Sequence, residues 1–247
     1  QSKSNEAEYH IVKKGDTLFR IAKKYNISVE ELKNLNGLNR QKFQSLFYES
    51  NLIVNTSGSV GLIKGEPSLK RHFLDRLSLK LNKEYSLILS RYNQTLKNRN
   101  ALLKNYGDFK KSKNLFEILT EELINLSKII QDERTKIVNR LNLEINKITS
   151  DFEEFKNLNR ICIKYEPEEI NVEKANSLIR EELKRKTTLI GSHTDNVVVV
   201  DKDFSIKDFS SEGEQKLASI LLKLCEYNIL EEETKNVPIL LIDDITS

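Results

Sequence analysis

Cysteine is scarce. Cys162 and Cys225 stand alone, with no second cysteine or histidine at ligand spacing, which excludes a disulfide framework and a zinc site. Both sit among apolar neighbours and read as core filler. Three prolines and eight glycines in 247 residues argue against a turn-rich sandwich and for a helical protein with a sizeable core. No apolar run approaches the roughly 20 residues of a membrane span. None of the glycines is followed by lysine, so the G-x-x-x-x-G-K-[ST] loop whose amides and lysine cradle phosphates is missing. A G-x-S-x-G nucleophile elbow is missing too. Methionine does not occur and position 1 is Gln; the chain is therefore expected to be a fragment.

What is present is charge, unevenly placed. The net charge is only +3, but residues 64–113 hold 13 Lys/Arg against 4 Asp/Glu, and residues 114–247 hold 18 against 27. The basic run offers Lys97, Arg99 and Lys104 as candidates for contact with a DNA backbone; the competing reading is a solvated helix face.

The periodicity is mainly helical. Pro67 suits the first turn of a helix carrying Phe73, Leu74 and Leu77. A second helix is expected from about Lys83 to Asn105. A third, from about Asn114 to Leu158, repeats Leu115, Leu119, Leu123 and Leu126, then Ile137, Leu141, Ile145 and Ile148, long enough for a helical arm or coiled-coil lobe. Arg160–Tyr165 alternates as a strand does. A helix from Val172 to Lys186 follows, then a strand at Val197–Val200 and a hairpin turn at Asp201-Lys202-Asp203. A helical lobe is thus inserted into an α/β lobe.

The C-terminal stretch FSSEGEQKLASILLKLCEYNILEEETKNVPILLIDD (209–244) carries the most chemistry. A polar turn feeds a helix with Leu217, Ile220, Leu221 and Leu224 on one face. Val237–Ile242 then reads as a strand buried on both faces. Asp243 and Asp244 follow it, where open α/β sheets place ligand sites. A helix that starts at a glycine offers free N–H groups to an anion.

SSEGEQK followed by ILLIDD resembles the signature helix and Walker B strand of ABC-type ATPases of the SMC/RecF group. GLIKGEPSLKRHFLD (61–75), SRYNQTLKNRNALLK (90–104) and TTLIGSHTDN (187–196) resemble segments of the RecF family in the same order. The likeness covers roughly residues 51–247. It implies a DNA replication, repair and recombination protein of the SOS response, cytoplasmic, working with DNA and recombination mediator proteins. It also implies ATP and Mg²⁺ as cofactors of the complete family member. On that resemblance, Ser211, Glu212, Gly213, Gln215 and Lys216 would meet the phosphates held by a partner lobe. Asp243 would hold Mg²⁺ through its water shell, and Asp244 would position the attacking water. With no P-loop, this chain is expected not to hydrolyse ATP. His193 matches a family motif position, although Ser192 and Thr194 stand where the family usually has Pro and Arg; as a lone loop histidine it reads as a hydrogen-bonding residue.

The N-terminal part reads differently. Tyr9–Val12 is strand-like, Asp16 caps a helix carrying Leu18, Ile21, Ala22 and Tyr25, and Ser28 with Glu31 forms a capping box for another. YHIVKKGDTLFRIAKKYNISVEELKNLNGL (9–38) resembles a lysin motif (LysM), a βααβ glycan-binding module. That resemblance implies peptidoglycan or chitin as ligand, in a groove walled by Gly15, Asp16 and Thr17 and by Leu35, Asn36 and Gly37. It places the protein in the cell envelope or outside the cell, against the RecF-like text. Asn51–Asn55 closes this module, or belongs to the RecF-like part. The expected fold is therefore α/β with a large inserted α-helical lobe and a small LysM-like module. Residues 1–8 are expected to be disordered, 9–55 to be LysM-like, 56–186 to form the helical lobe, and 187–247 the C-terminal half of an ABC-type ATPase head. The alternatives to a RecF-like fragment are a LysM-mediated glycan binder and a chimera with no function as a unit.

Overall fold

The computed structural model describes residues 23–24, 52–105, 109, 111–202, 204–206, 210–234 and 237–242. The chain divides into two compact units, Gln1–Ser50 and Asn51–Ser247. In the first, only Lys23 and Lys24 are described, both helical. The expected strand at Tyr9–Val12, the candidate glycan residues Gly15, Asp16, Thr17, Leu35, Asn36 and Gly37, and the pair Asp243–Asp244 all lie outside the described residues.

Among its described residues the second unit is mostly helical with two small sheets. It begins with β1 (Leu52–Asn55), a 3-10 turn at Ser57–Val60 and a short helix α1 (Gly61–Lys64). Helix α2 (Pro67–Leu81) has its proline at the first helical position, where a missing N–H costs nothing. It buries Phe73, Leu74 and Leu77 as the spacing predicts. Helix α3 (Tyr85–Lys104) leads to α4 (Lys113–Asp151), whose 39 residues make a rod of about 60 Å. The stripe Phe116, Leu119, Leu123, Ile130, Ile137, Leu141, Ile145 and Ile148 is buried along its whole length. The helix stops short of the expected Leu158: Phe152 turns extended, and Glu153–Leu158 continues as a 3-10 turn that buries Leu158.

The chain returns through β2 (Ile161–Glu166) and α5 (Val172–Arg185), capped by the Asn171 side chain on the Lys174 amide. Then come β3 (Asn196–Asp201), β4 (Phe204–Ser205), α6 (Glu212–Thr234) and β5 (Ile239–Ile242). Strands β2, β3 and β4 form an antiparallel sheet, with Lys202 in the left-handed conformation at the expected hairpin. One apolar core joins α2, the C-terminal half of α4, the β2–β3 pair and α6; a second lies between α3, the N-terminal half of α4 and α5. Cys225 belongs to the first core, while Cys162 is only partly buried, and both are free thiols.

Of the two assignments open for Asn51–Asn55, the structure supports the second: Leu52–Asn55 pairs in parallel with β5, Leu52 opposite Ile239 and Asn55 opposite Ile242, within the second unit. One expectation is corrected. Strand β5 was expected to be buried on both faces. Instead Ile239 is 62% and Leu241 51% exposed, because among the described residues its sheet has only two strands.

Candidate functional site

The start of α6 is built by a local rule. Ser211 stands before the first helical residue and Glu214 three places on, the spacing of a capping box. The Glu214 amide donates to Ser211 Oγ at 3.3 Å, while the Ser211 amide and hydroxyl both donate to Glu214 Oε2, at 2.7 and 2.9 Å. The backbone hydrogen bond from Ser211 holds the Glu214 carboxyl below its ordinary value. Glu212 adds a second carboxylate to the first turn. Gly213 lies in open space: a Cβ there would meet nothing within 4 Å. Its lack of a side chain is not required by packing among the described residues.

Of the five candidates at this helix start, Ser211, Glu212 and Gly213 are exposed and Lys216 is half-buried. Gln215 does not join them. Its side chain turns inward, and Nε2 donates to the carbonyls of Ile206 and Ser210 at 3.3 and 2.9 Å. That contact ties Ile206 and Ser210 to the helix and buries the Gln215 side chain away from the exposed Ser211, Glu212 and Gly213.

The segment Thr187–Asn196 is held from several directions. Arg134 of α4 donates twice to Asp75 of α2, at 2.8 and 2.9 Å, and again to Asp195 at 3.0 Å and to the Ser192 carbonyl. Tyr85 donates to Asp75, and Tyr165 and Gln131 donate to Asp195. Arg71 reaches the Asp195 carbonyl at 2.6 Å. Gly191 has φ of +132°, and a Cβ there would stand 2.6 Å from the Tyr92 hydroxyl. His193 is a hydrogen-bonding residue: its Nε2 lies 3.2 Å from the Thr188 carbonyl, which only accepts, so Nδ1 accepts from Tyr92 at 2.7 Å. Burial keeps the imidazole neutral below its usual value. The arrangement holds a loop.

Sequence reading passed over Arg134 and Asp75, although the signal was there. Arg134 sits between Ile130 and Ile137 at the position where the buried stripe of α4 should carry an apolar residue.

The basic candidates separate. Lys97 and Lys104 are exposed on α3. Arg99 is not: it is fully buried, with Nη1 and Nη2 on Glu182 at 2.9 and 2.7 Å, Nη1 also on Thr188, and its guanidinium 4.3 Å from the Phe116 ring. A guanidinium so enclosed cannot reach a phosphate backbone. Others in the basic run are also engaged. Lys70 is buried, and Arg76 and Lys80 pair with Glu226. Among the described residues no group of three His, Cys, Asp or Glu could hold a metal.

Comparison with known proteins gives this geometry a context. The chain is 30% identical over 225 residues to the DNA replication and repair protein RecF of Clostridium tetani, and 36% identical over 197 residues to that of Acholeplasma laidlawii. Its structure superposes with a TM-score of 0.68 on the recombination mediator protein RecF in the RecFOR pathway, solved as RecF-ATP and as RecF-ATPrS, at 29% and 26% identity. The chain is homologous to the RecF family.

The solved RecF chains are matched over 79% of this chain and 56% of theirs. The chain spans 60% of the C. tetani RecF and 53% of the A. laidlawii one. The LysM domain family matches residues 10–47. The RecF of Caldanaerobacter subterraneus matches 90% of this chain at 28% identity. That is more than residues 51–247 alone provide, so the RecF likeness reaches back into the stretch that LysM also matches.

Proposed function

We propose that residues 51–247 act as part of a RecF-type DNA replication and repair protein, presenting the start of α6 to a nucleotide whose phosphates are held by another lobe. The supporting observation is Gly213: it stands at an exposed helix start, in space that no other part of the described chain uses. Ser211 and Gly213 would approach the phosphates, with Lys216 beside them. Asp243 and Asp244 follow β5 in sequence, as carboxylates that could hold Mg²⁺ and orient a water. The ion would offset phosphate charge. DNA, recombination mediator proteins and a cytoplasmic location belong to the same reading; among the described residues no helix is long and apolar enough to cross a membrane.

DNA contact would fall to the exposed Lys97 and Lys104, without Arg99. Duplex binding is expected to be weak, independent of sequence and steeply salt-dependent, because released counterions drive it. Replacing Lys97 and Lys104 together by Glu should flatten the salt slope by about two. Fluorescence anisotropy across a salt series checks this; a slope unchanged by the double substitution would remove these lysines from the interface. A second reading, glycan binding, is favoured by the LysM match at residues 10–47. Its candidates are Gly15–Thr17 and Leu35–Gly37, and NMR shifts at these residues on titration with chitin or peptidoglycan oligomers would test it.

A further inference from the structure

Helices α2 and α6 bring three cations to one carboxylate. Arg76 Nη2 lies 3.1 Å from Glu226 Oε2, Lys223 Nζ lies 2.8 Å from the same oxygen, and Lys80 Nζ lies 3.9 Å from Oε1. The side chains of Lys80, Lys223 and Glu226 are buried, and that of Arg76 is a quarter exposed. Arg76 and Lys223 therefore share one carboxylate oxygen in a place with little water. The face of the Phe73 ring, 5.2 Å from Lys223 Nζ and 6.0 Å from the Arg76 guanidinium carbon, offsets only part of their charge. Burial, with Arg76 as a like charge nearby, lowers both ammonium groups from their ordinary value although Glu226 opposes it. Arg76 Nε–H is buried and has no acceptor among the described residues.

Beside this cluster lies a cavity of about 260 Å³, lined in part by Arg76, Lys223, Phe73, His72, Gly58 and Ser59. Gly58 keeps its wall low: a Cβ there would meet only Thr56 Oγ1, at 3.5 Å. We propose that this cavity is an anion site that takes a phosphate group, with Arg76 and Lys223 as its charged ligands and His72 at its rim. A phosphate group offsets the charge that Arg76 and Lys223 share over one carboxylate, and it gives the Arg76 N–H groups acceptors that a single carboxylate cannot all supply. The site is separate from the start of α6, since Lys223 stands about 15 Å along the helix from Gly213. The phosphate group could be free, part of a nucleotide, or part of a nucleic-acid backbone.

The test uses the whole chain. Inorganic phosphate should raise the thermal midpoint saturably, whereas sodium chloride at equal ionic strength should not, and the ³¹P resonance of phosphate should shift on binding. Arg76→Met should weaken binding about tenfold, as loss of a charge-assisted contact does. His72→Glu puts a carboxylate at the exposed rim, leaves the buried cluster intact, and should weaken it similarly; if Arg76→Met fails to fold, this variant decides. Competition by ATP or by a short DNA duplex in the ³¹P experiment names the source of the group, and competition by neither assigns the site to free phosphate. Equal midpoints in phosphate and chloride, or unchanged binding in His72→Glu, would overturn the proposal.

Discussion

Arg99 and Lys97 are two positions apart and face opposite environments, because two residues turn an α-helix by about 200°. A charge count along the chain could not separate them, but a helical projection could. Arg99 falls seven residues after the buried Tyr92 and four before the buried Leu103, on the apolar stripe of α3. Its partner was not legible, since Glu182 lies 83 residues away. Removing one member of so enclosed a pair strands the other: Arg99→Met should destabilise the fold by about 3–5 kcal/mol, and Arg99→Met with Glu182→Gln should recover part of that in denaturant unfolding. Recovery of nothing would mean that Arg99 acts through Thr120 and Thr188 instead. His193 gives a pH-dependent counterpart. Its folded value is depressed by burial from the ordinary 6.5, so its contribution is complete above that pH and is lost as the pH falls through the lower folded value. The fold should weaken between pH 7 and 5, and His193→Gln should reduce that slope. An unchanged slope would place the titrating group elsewhere.

At the level of elements, helices were read well and strands only in part. The start of α2, the extent of α3 and the long apolar stripe of α4 follow from spacing alone, since each is a local pattern in which side chains three and four apart share a face. Strand β5 carries the same local pattern as a buried strand, but exposure depends on what lies beside it, and that is not local. Helix α6 joins both kinds of information. Its capping box is a short-range signal and its open surroundings are not. Since a Cβ at Gly213 meets nothing, Gly213→Ala should stabilise the fold by about 0.5–1 kcal/mol through backbone entropy. Thermal or denaturant unfolding will show it, and a loss of stability would mean that this position is more confined than it looks. The same substitution should weaken any complex in which a phosphate must approach that backbone.

For the whole molecule, the sequence separated a LysM-like from a RecF-like part but could not assign Asn51–Asn55, because a strand's partner is chosen across the fold. The RecF relation does not by itself make these 247 residues an enzyme. Hydrolysis requires a grip on the phosphates, Mg²⁺ and a placed water together. The sequence has no P-loop, and in the proposed reading the α6 start only approaches phosphates that another lobe holds. The purified chain should show no ATPase above background, and Asp244→Ala should change nothing; turnover that disappears in that variant would show another segment gripping the phosphates. The pairing of β1 with β5 also has a consequence in time. A ribosome makes Leu52 of β1 about 190 residues before its partner Ile239 of β5, so at 5–20 residues per second the emerging strand waits about ten to forty seconds for its neighbour. Throughout that interval its backbone edge is open to other chains in the cell, and a chaperone that shields nascent strands would serve this protein before its fold is complete.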